Sequence, residues 1–203
     1  MQQNEPVKAA AKLVFYYGTM NSSKSANLIM TAYNFKQQKK RFIAMKSTKD
    51  TRDLHITSRA LTVALPCIPV SSVNDIRAAL LDKEIDFLFV DEVQFMEPNM
   101  IEELAAIADS GINVVCYGLM LDFRGELFPG SKRLVECADS LREIKNQCIY
   151  CKNKAIRNLR LVNDVPVFDG PIELPGDSYQ SVCRKCFEQK KREALRENIH
   201  RRE

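Results

Sequence analysis

Apolar residues along this chain fall into short blocks that switch between two periods. Residues 12–17 (KLVFYY), 41–46 (RFIAMK), 86–90 (DFLFV) and 112–118 (INVVCYG) are brief runs dominated by apolar side chains. Such runs predict strands covered on both faces. Helical periods lie between them, from about Ser25 to Gln38, from Val73 to Leu81 and over 98–109. Pro98 opens the last of these, as a first turn tolerates, and Gly111 ends it. Strands alternating with helices predict an α/β fold. Its sheet is mostly parallel, with right-handed crossovers and helices on both faces. Residues 1–11 read as a poorly ordered lead. The stretch 47–66 is polar and irregular and reads as a mobile loop carrying Asp50, Arg52, His55 and Arg59. Past about Leu141 the pattern changes to short β-like pieces set between cysteines, followed by a basic exposed helix over 187–202.

The first predicted strand runs into Gly18-Thr19-Met20-Asn21-Ser22-Ser23-Lys24-Ser25. This is the G-x-x-x-x-G-K-S phosphate loop of a P-loop NTPase-like domain, with serine in place of the second glycine. Strand, loop and helix follow in the required order. Backbone N–H groups turned inward, together with a helix N-terminus, suit a triphosphate. Lys24 then reaches the β- and γ-phosphates of ATP, and the Ser25 hydroxyl ligates Mg²⁺. An ordinary turn and N-cap before a helix is the other account of the segment. The serine matters because the loop bends there around the β-phosphate. Glycine takes φ > 0 freely, whereas serine held there costs about 1–3 kcal/mol.

The strand DFLFV ends in Asp91-Glu92-Val93-Gln94-Phe95. An apolar strand closing on acid, at the C-terminal edge of a parallel sheet, places a carboxylate where Mg²⁺ binds. Asp91 takes that role. Glu92, next in line, is placed to accept a hydroxyl proton. A solvated loop with two acids is the alternative for this segment taken alone.

Cys148-Ile-Tyr-Cys151 and Cys183-Arg-Lys-Cys186 are two C-x-x-C knuckles. Four thiolates form the closed tetrahedral set of structural Zn²⁺, a staple with no open position for water. Chance pairing of buried cysteines is the competing account. Cys67, Cys116 and Cys137 stand alone and read as core residues.

Composition adds limits. The chain has 203 residues, 45% of them hydrophobic, and a net charge of +4. That is enough for one α/β domain with a small zinc-ribbon-like appendage. The mild charge suits anionic phosphates and makes no case for nucleic acid. The basic run Lys190-Lys191-Arg192 with Arg196, Arg201 and Arg202 lacks interleaved aromatics and any reading motif, so it reads as a solvated helix face. His55 and His200 also read as solvated. No apolar run is long enough for a membrane span, and MQQNEPVKAAAK lacks a signal-peptide core. A cytoplasmic, reducing setting is expected, with thiols in preference to disulfides.

The segments FYYGTMNSSKS, DFLFVDEVQF, VVCYGLMLDFRGELFPGS, C-x-x-C and DSYQSVCRKC occur in the order found in cytosolic-type thymidine kinases, and residues 12–188 resemble that family. The resemblance implies ATP- and Mg²⁺-dependent phosphorylation of thymidine, and of deoxyuridine, at the 5′-hydroxyl. The products are dTMP and ADP, made in pyrimidine nucleotide salvage. It further implies a homotetramer and feedback inhibition by dTTP. By position it makes residues 18–25 the ATP loop, residues 91–94 a second nucleotide-contacting segment, and Glu92 the general base. Met20, Phe95, Leu119 and Phe123 line the thymine pocket. Tyr179 belongs to a loop between the knuckles that folds over the base. Asn158 stands where the family often has a base-contacting threonine. Arg52 matches an arginine near the transferred phosphate, and Arg124 and Phe128 match as well. The implied domains are 12–147 for ATP binding and catalysis, 148–188 for zinc and the nucleoside cover, and 189–203 as a basic tail.

Two other classes remain for comparison. A non-catalytic nucleotide sensor is suggested by Ser23. A zinc-ribbon nucleic-acid binder with a P-loop motor is the other, and the chain's modest charge and lack of helicase motifs count against it. Lys24, Ser25, Asp91 and Glu92 together favour the kinase, since a sensor needs no base beside a metal site.

Overall fold

The computed structural model describes residues 10–49, 54–171 and 178–200. In chain order these form β1 (Leu13–Gly18), α1 (Lys24–Gln37), β2 (Phe42–Ser47), β3 (His55–Ser58), β4 (Leu61–Pro66), β5 (Ile68–Val70) and α2 (Val73–Leu80). There follow β6 (Phe87–Asp91), a 3₁₀ turn at Val93–Phe95, α3 (Pro98–Asp109), β7 (Asn113–Leu119), α4 (Pro129–Cys137) and β8 (Ser140–Glu143). The last part holds β9 (Asn146–Gln147), β10 (Lys154–Ala155), β11 (Arg157–Val162), β12 (Val165–Val167), β13 (Ser178–Val182) and α5 (Arg184–His200).

Six strands make one parallel sheet in the order β5-β2-β6-β7-β1-β8. Side chains alternate strictly across it, as a period of two demands. Leu13, Phe15, Met45, Leu88, Val90, Val114 and Cys116 face a core closed by Ile76 of α2, Ile101 and Leu104 of α3, and Leu134 of α4. Ala44, Phe89 and Tyr117 face the other side, against Leu28, Ile29 and Ala32 of α1. The apolar strands are thus covered on both faces. The phosphate-loop strand β1 and the acid-bearing strand β6 are not neighbours, because β7 lies between them.

The stretch 47–66 departs from the expected loop. Residues 55–66 are an antiparallel hairpin, β3–β4, pinned by the fully buried Ile56, with Leu61 and Leu65 half-buried in the same cluster as α1. The remaining hairpin side chains are mostly exposed, so no apolar alternation announces it. Helix α4 is also additional. Its opening Pro-Gly-Ser resembles a turn, yet Gly130 is buried where a Cβ would lie 2.6 Å from the Val93 carbonyl oxygen and 2.7 Å from that of Met96. Helix α5 starts at Arg184, earlier than expected. The Cys183 sulfur accepts the Cys186 backbone N–H at 3.4 Å, so the second knuckle caps the helix. The lead over residues 1–9 and the segment holding Asp50 and Arg52 lie outside the described residues.

A small second lobe carries the cysteines. It pairs β12-β11-β13 in one antiparallel sheet and β9-β10 in another. Leu159, Leu161, Val182 and Phe187 form its core beside Cys148 and Cys183. Among the described residues no helix is long and apolar enough to cross a membrane.

Candidate active site

The carboxyl-terminal ends of the sheet strands open into a cavity of about 550 Å³. Residues 20–25 line one side of it. Gly18 gives the loop its close return, since a Cβ there would lie 2.4 Å from Ser22 Oγ and 2.7 Å from the Ile144 carbonyl oxygen. Thr19 is buried beneath the loop. Asn21 and Ser23 both adopt left-handed backbone, with φ 58° and 64°. Ser23 therefore holds the conformation expected of the missing glycine. It directly precedes α1, but its hydroxyl caps no N–H of the helix. Lys24 Nζ donates to the Thr19 carbonyl at 2.7 Å and reaches Ser22 Oγ at 3.5 Å. Burial holds its ammonium below the ordinary value, against the pull of Glu92 and Asp91.

The acid end faces this loop. Asp91 is 3% exposed and accepts the Glu92 backbone N–H at 3.0 Å. Burial, and then the charge of Glu92, push its carboxyl up to about 7, while Lys46 pulls the other way. The Ser25 hydroxyl and the Asp91 carboxylate both line the cavity, and oxygen donors of these two types could hold a Mg²⁺ ion beside phosphates. Glu92 is also left-handed, at φ 52°. Its carboxylate accepts from Gln94 Nε2 at 2.6 Å. Val93 points instead into the core and is fully buried.

The far wall is apolar. Phe95, Leu119, Phe123, Phe128 and Tyr179 line it, and Met20 of the loop joins them in lining the cavity. Phe95 and Phe128 meet edge to face, with ring centroids 5.7 Å apart. Tyr179 lies in β13 paired with Arg160, not in a loop. Asn158 lines the cavity too, but both ends of its amide are engaged by backbone, accepting from Met20 N at 2.8 Å and donating to the Leu121 carbonyl at 2.9 Å. Arg124 is absent from the lining and pairs with Asp122 at 2.9 Å. Two contributors were not legible in the chain. Lys46, 7% exposed at the end of β2, lines the cavity beside Asp91. Thr57, Ser58 and Ala60 bring the β3–β4 hairpin to the mouth, with Arg59. A basic residue closing an apolar strand is the one signal Lys46 gave.

The four knuckle sulfurs lie within 4.8 Å of one another, with Cys151 3.6 Å from Cys183 and 3.7 Å from Cys186. Zn–S bonds of about 2.3 Å arranged tetrahedrally put sulfurs about 3.8 Å apart. The set therefore fits zinc. Burial opposes ionisation of Cys148, but backbone N–H groups of Cys183, Tyr150 and Cys151 outweigh it and bring the thiol down to about 7. The Cys186 N–H, donating to its sulfur, likewise holds the Cys183 thiol below its ordinary value.

A thymidine kinase family model matches residues 11–187. The thymidine kinase of Streptococcus pyogenes serotype M3 (strain ATCC BAA-595 / MGAS315) is 38% identical over 183 residues, covering 87% of this chain and 97% of the relative. That of Streptococcus agalactiae serotype V (strain ATCC BAA-611 / 2603 V/R) is 36% identical over the same coverage. Among solved structures, a Pif1 helicase from Candida albicans is 16% identical with a TM-score of 0.43, over 68% of this chain and 37% of that one.

Proposed function

This chain belongs to the thymidine kinase family, and we propose that it transfers the γ-phosphate of ATP to the 5′-hydroxyl of thymidine, giving dTMP and ADP. The observation that carries this reading is that one cavity joins Lys24, Ser25, Asp91 and Glu92 to a wall of Phe95, Leu119, Phe123, Phe128 and Tyr179. Lys24 and the loop N–H groups bind the β- and γ-phosphates. Ser25 and Asp91 hold Mg²⁺, which supplies charge neutralisation at the phosphates. Glu92 takes the proton of the 5′-hydroxyl as its oxygen bonds to the γ-phosphorus and the bond to ADP breaks. Phe95, Leu119, Phe123 and Tyr179 surround the base, and zinc on Cys148, Cys151, Cys183 and Cys186 holds the second lobe in shape.

The same reading gives deoxyuridine as a second acceptor, dTTP as a feedback inhibitor, a homotetramer, and a cytoplasmic place of work. ATP-dependent phosphorylation of radiolabelled thymidine tests it. Tight ATP binding with no labelled dTMP would replace the kinase by a nucleotide sensor.

A further inference from the structure

One residue of the phosphate loop is gripped at both of its backbone groups from the other lobe. Met20 N–H donates to Asn158 Oδ1 at 2.8 Å, and the Met20 carbonyl accepts the Ser181 hydroxyl. Asn158 and Ser181 are 3% and 7% exposed and stand directly opposite each other in the β11–β13 ladder. A cross-strand pair of this kind projects to one side, with Cβ atoms about 5 Å apart. Here the two side chains close on one residue, holding the two peptide groups that flank the Met20 Cα. The grip leads straight to the cysteines. The Ser181 carbonyl accepts the backbone N–H of Ile149, inside the first knuckle, at 3.0 Å, and Cys183 follows two residues later.

The loop has reason to need it. Asn21 and Ser23, either side of Ser22, are both left-handed without being glycine. Within the loop, the Ser22 N–H reaches the Thr19 carbonyl only at 3.3 Å. Strained backbone persists when surrounding contacts over-determine it, and Met20 is where those contacts enter.

We propose that Asn158 and Ser181 are positioning residues for the phosphate loop, through which the four-cysteine site governs nucleotide binding as well as the nucleoside pocket. The proposal rests on the kinase reading above. It departs from the simpler expectation that zinc serves the thymidine side alone.

The test uses zinc-loaded full-length protein with Ser181→Ala. ADP binding is measured by calorimetry, zinc by metal analysis, and KM for ATP and thymidine by initial rates. Ser181→Ala is expected to weaken ADP binding about tenfold and to raise KM for ATP alike. Zinc content stays near native, and Ser181→Thr, which keeps the hydroxyl, restores ADP affinity. Native ADP affinity in Ser181→Ala overturns the proposal. Loss of zinc in that variant also overturns it, since Ser181 would then serve the metal site. If Ser181→Ala does not fold, Ser181→Cys, a weaker donor of similar size, is expected to fall between serine and alanine, and native affinity there is equally fatal. A native chain that bound no ADP would remove the kinase reading and the clamp with it, whereas failure of the clamp alone leaves thymidine phosphorylation intact.

Discussion

The side-chain amide of Gln94 joins Glu92 to Leu119, donating to the Glu92 carboxylate at 2.6 Å and accepting the Leu119 backbone N–H at 3.0 Å. Gln94 is 1% exposed and lies over Gly118 of β7, the strand that separates the phosphate-loop strand from the acid-bearing one. The carboxylate is thus held by the same side chain that accepts from Leu119 on the apolar wall. Its left-handed backbone, φ 52°, is the strain such holding sustains. Glu92→Gln keeps the shape and removes the proton acceptor. kcat is expected to fall by about 10²–10⁴ with thymidine KM little changed. Near-native kcat in steady-state assays would take Glu92 out of the chemistry.

Gly118→Ala tests the seat of Gln94. The added Cβ would lie 2.4 Å from Gln94 Oε1 and 2.9 Å from Val93 Cγ1. Neither neighbour has room to retreat, since both residues are buried. Overpacking of this kind costs about 1–3 kcal/mol, read as a lower urea midpoint. Because Gln94 moves, kcat is expected to fall as well. A variant with native kcat would show that Glu92 needs no orienting partner.

Asp91 gives the ligand-free protein a pH dependence of known sign. Burial, chiefly, pushes its carboxyl from the ordinary 3.8 up to about 7 in the folded protein. Between those values the folded state binds the extra proton. This contribution to stability is full below the unfolded value and is lost as pH rises towards about 7. Thermal melts of native protein and Asp91→Asn, without nucleotide, should therefore differ in slope over that window, the variant being flatter. Parallel curves would mean that Asp91 is ionised throughout.

Removing one thiolate tests the metal centre. Cys151→Ser breaks a sulfur set matched to zinc, and metal binding is coupled to folding of its site. Bound zinc is expected to fall and thymidine binding to weaken. Through Met20, ADP binding weakens as well. Freshly purified native protein that holds no zinc in metal analysis would sink the idea.

The chain itself announced the central strands, because runs such as DFLFV are buried on both faces and need no context. Lys24, Ser25, Asp91 and the knuckle cysteines were legible because their chemistry demands fixed types at fixed spacings. The β3–β4 hairpin was not, since Ile56 alone of its side chains is fully buried, with Leu61 and Leu65 half-buried beside it. Nor was α4, whose start is set by Gly130 fitting against distant carbonyls and not by a local cap. The grip of Asn158 and Ser181 on Met20 depends on the register of two strands, which periodicity leaves open.

Ser23 is where sequence and fold pull hardest against each other. Its backbone sits at φ 64°, ψ 29°, immediately before α1. A non-glycine residue there costs about 1–2 kcal/mol. The hydroxyl repays none of this in the free protein, since it caps no helix N–H and the residue is exposed. Ser23→Gly relieves the strain but frees the unfolded chain, which returns about 0.5–1 kcal/mol. The net gain in stability is therefore small. Turnover is the sharper measure. Beside bound ATP the serine hydroxyl can donate to a phosphate oxygen, worth about 0.5–1.5 kcal/mol, while its Cβ crowds the same phosphate. Ser23→Ala separates the two effects, because it keeps the Cβ and the strain and drops the hydroxyl. We expect Ser23→Gly to raise kcat/KM for ATP about tenfold, equivalent to about 1.4 kcal/mol of transition-state stabilisation, and Ser23→Ala to do no better than the native chain. A lower kcat/KM in Ser23→Gly would mean that the loop is adapted to serine, its hydroxyl outweighing the strain.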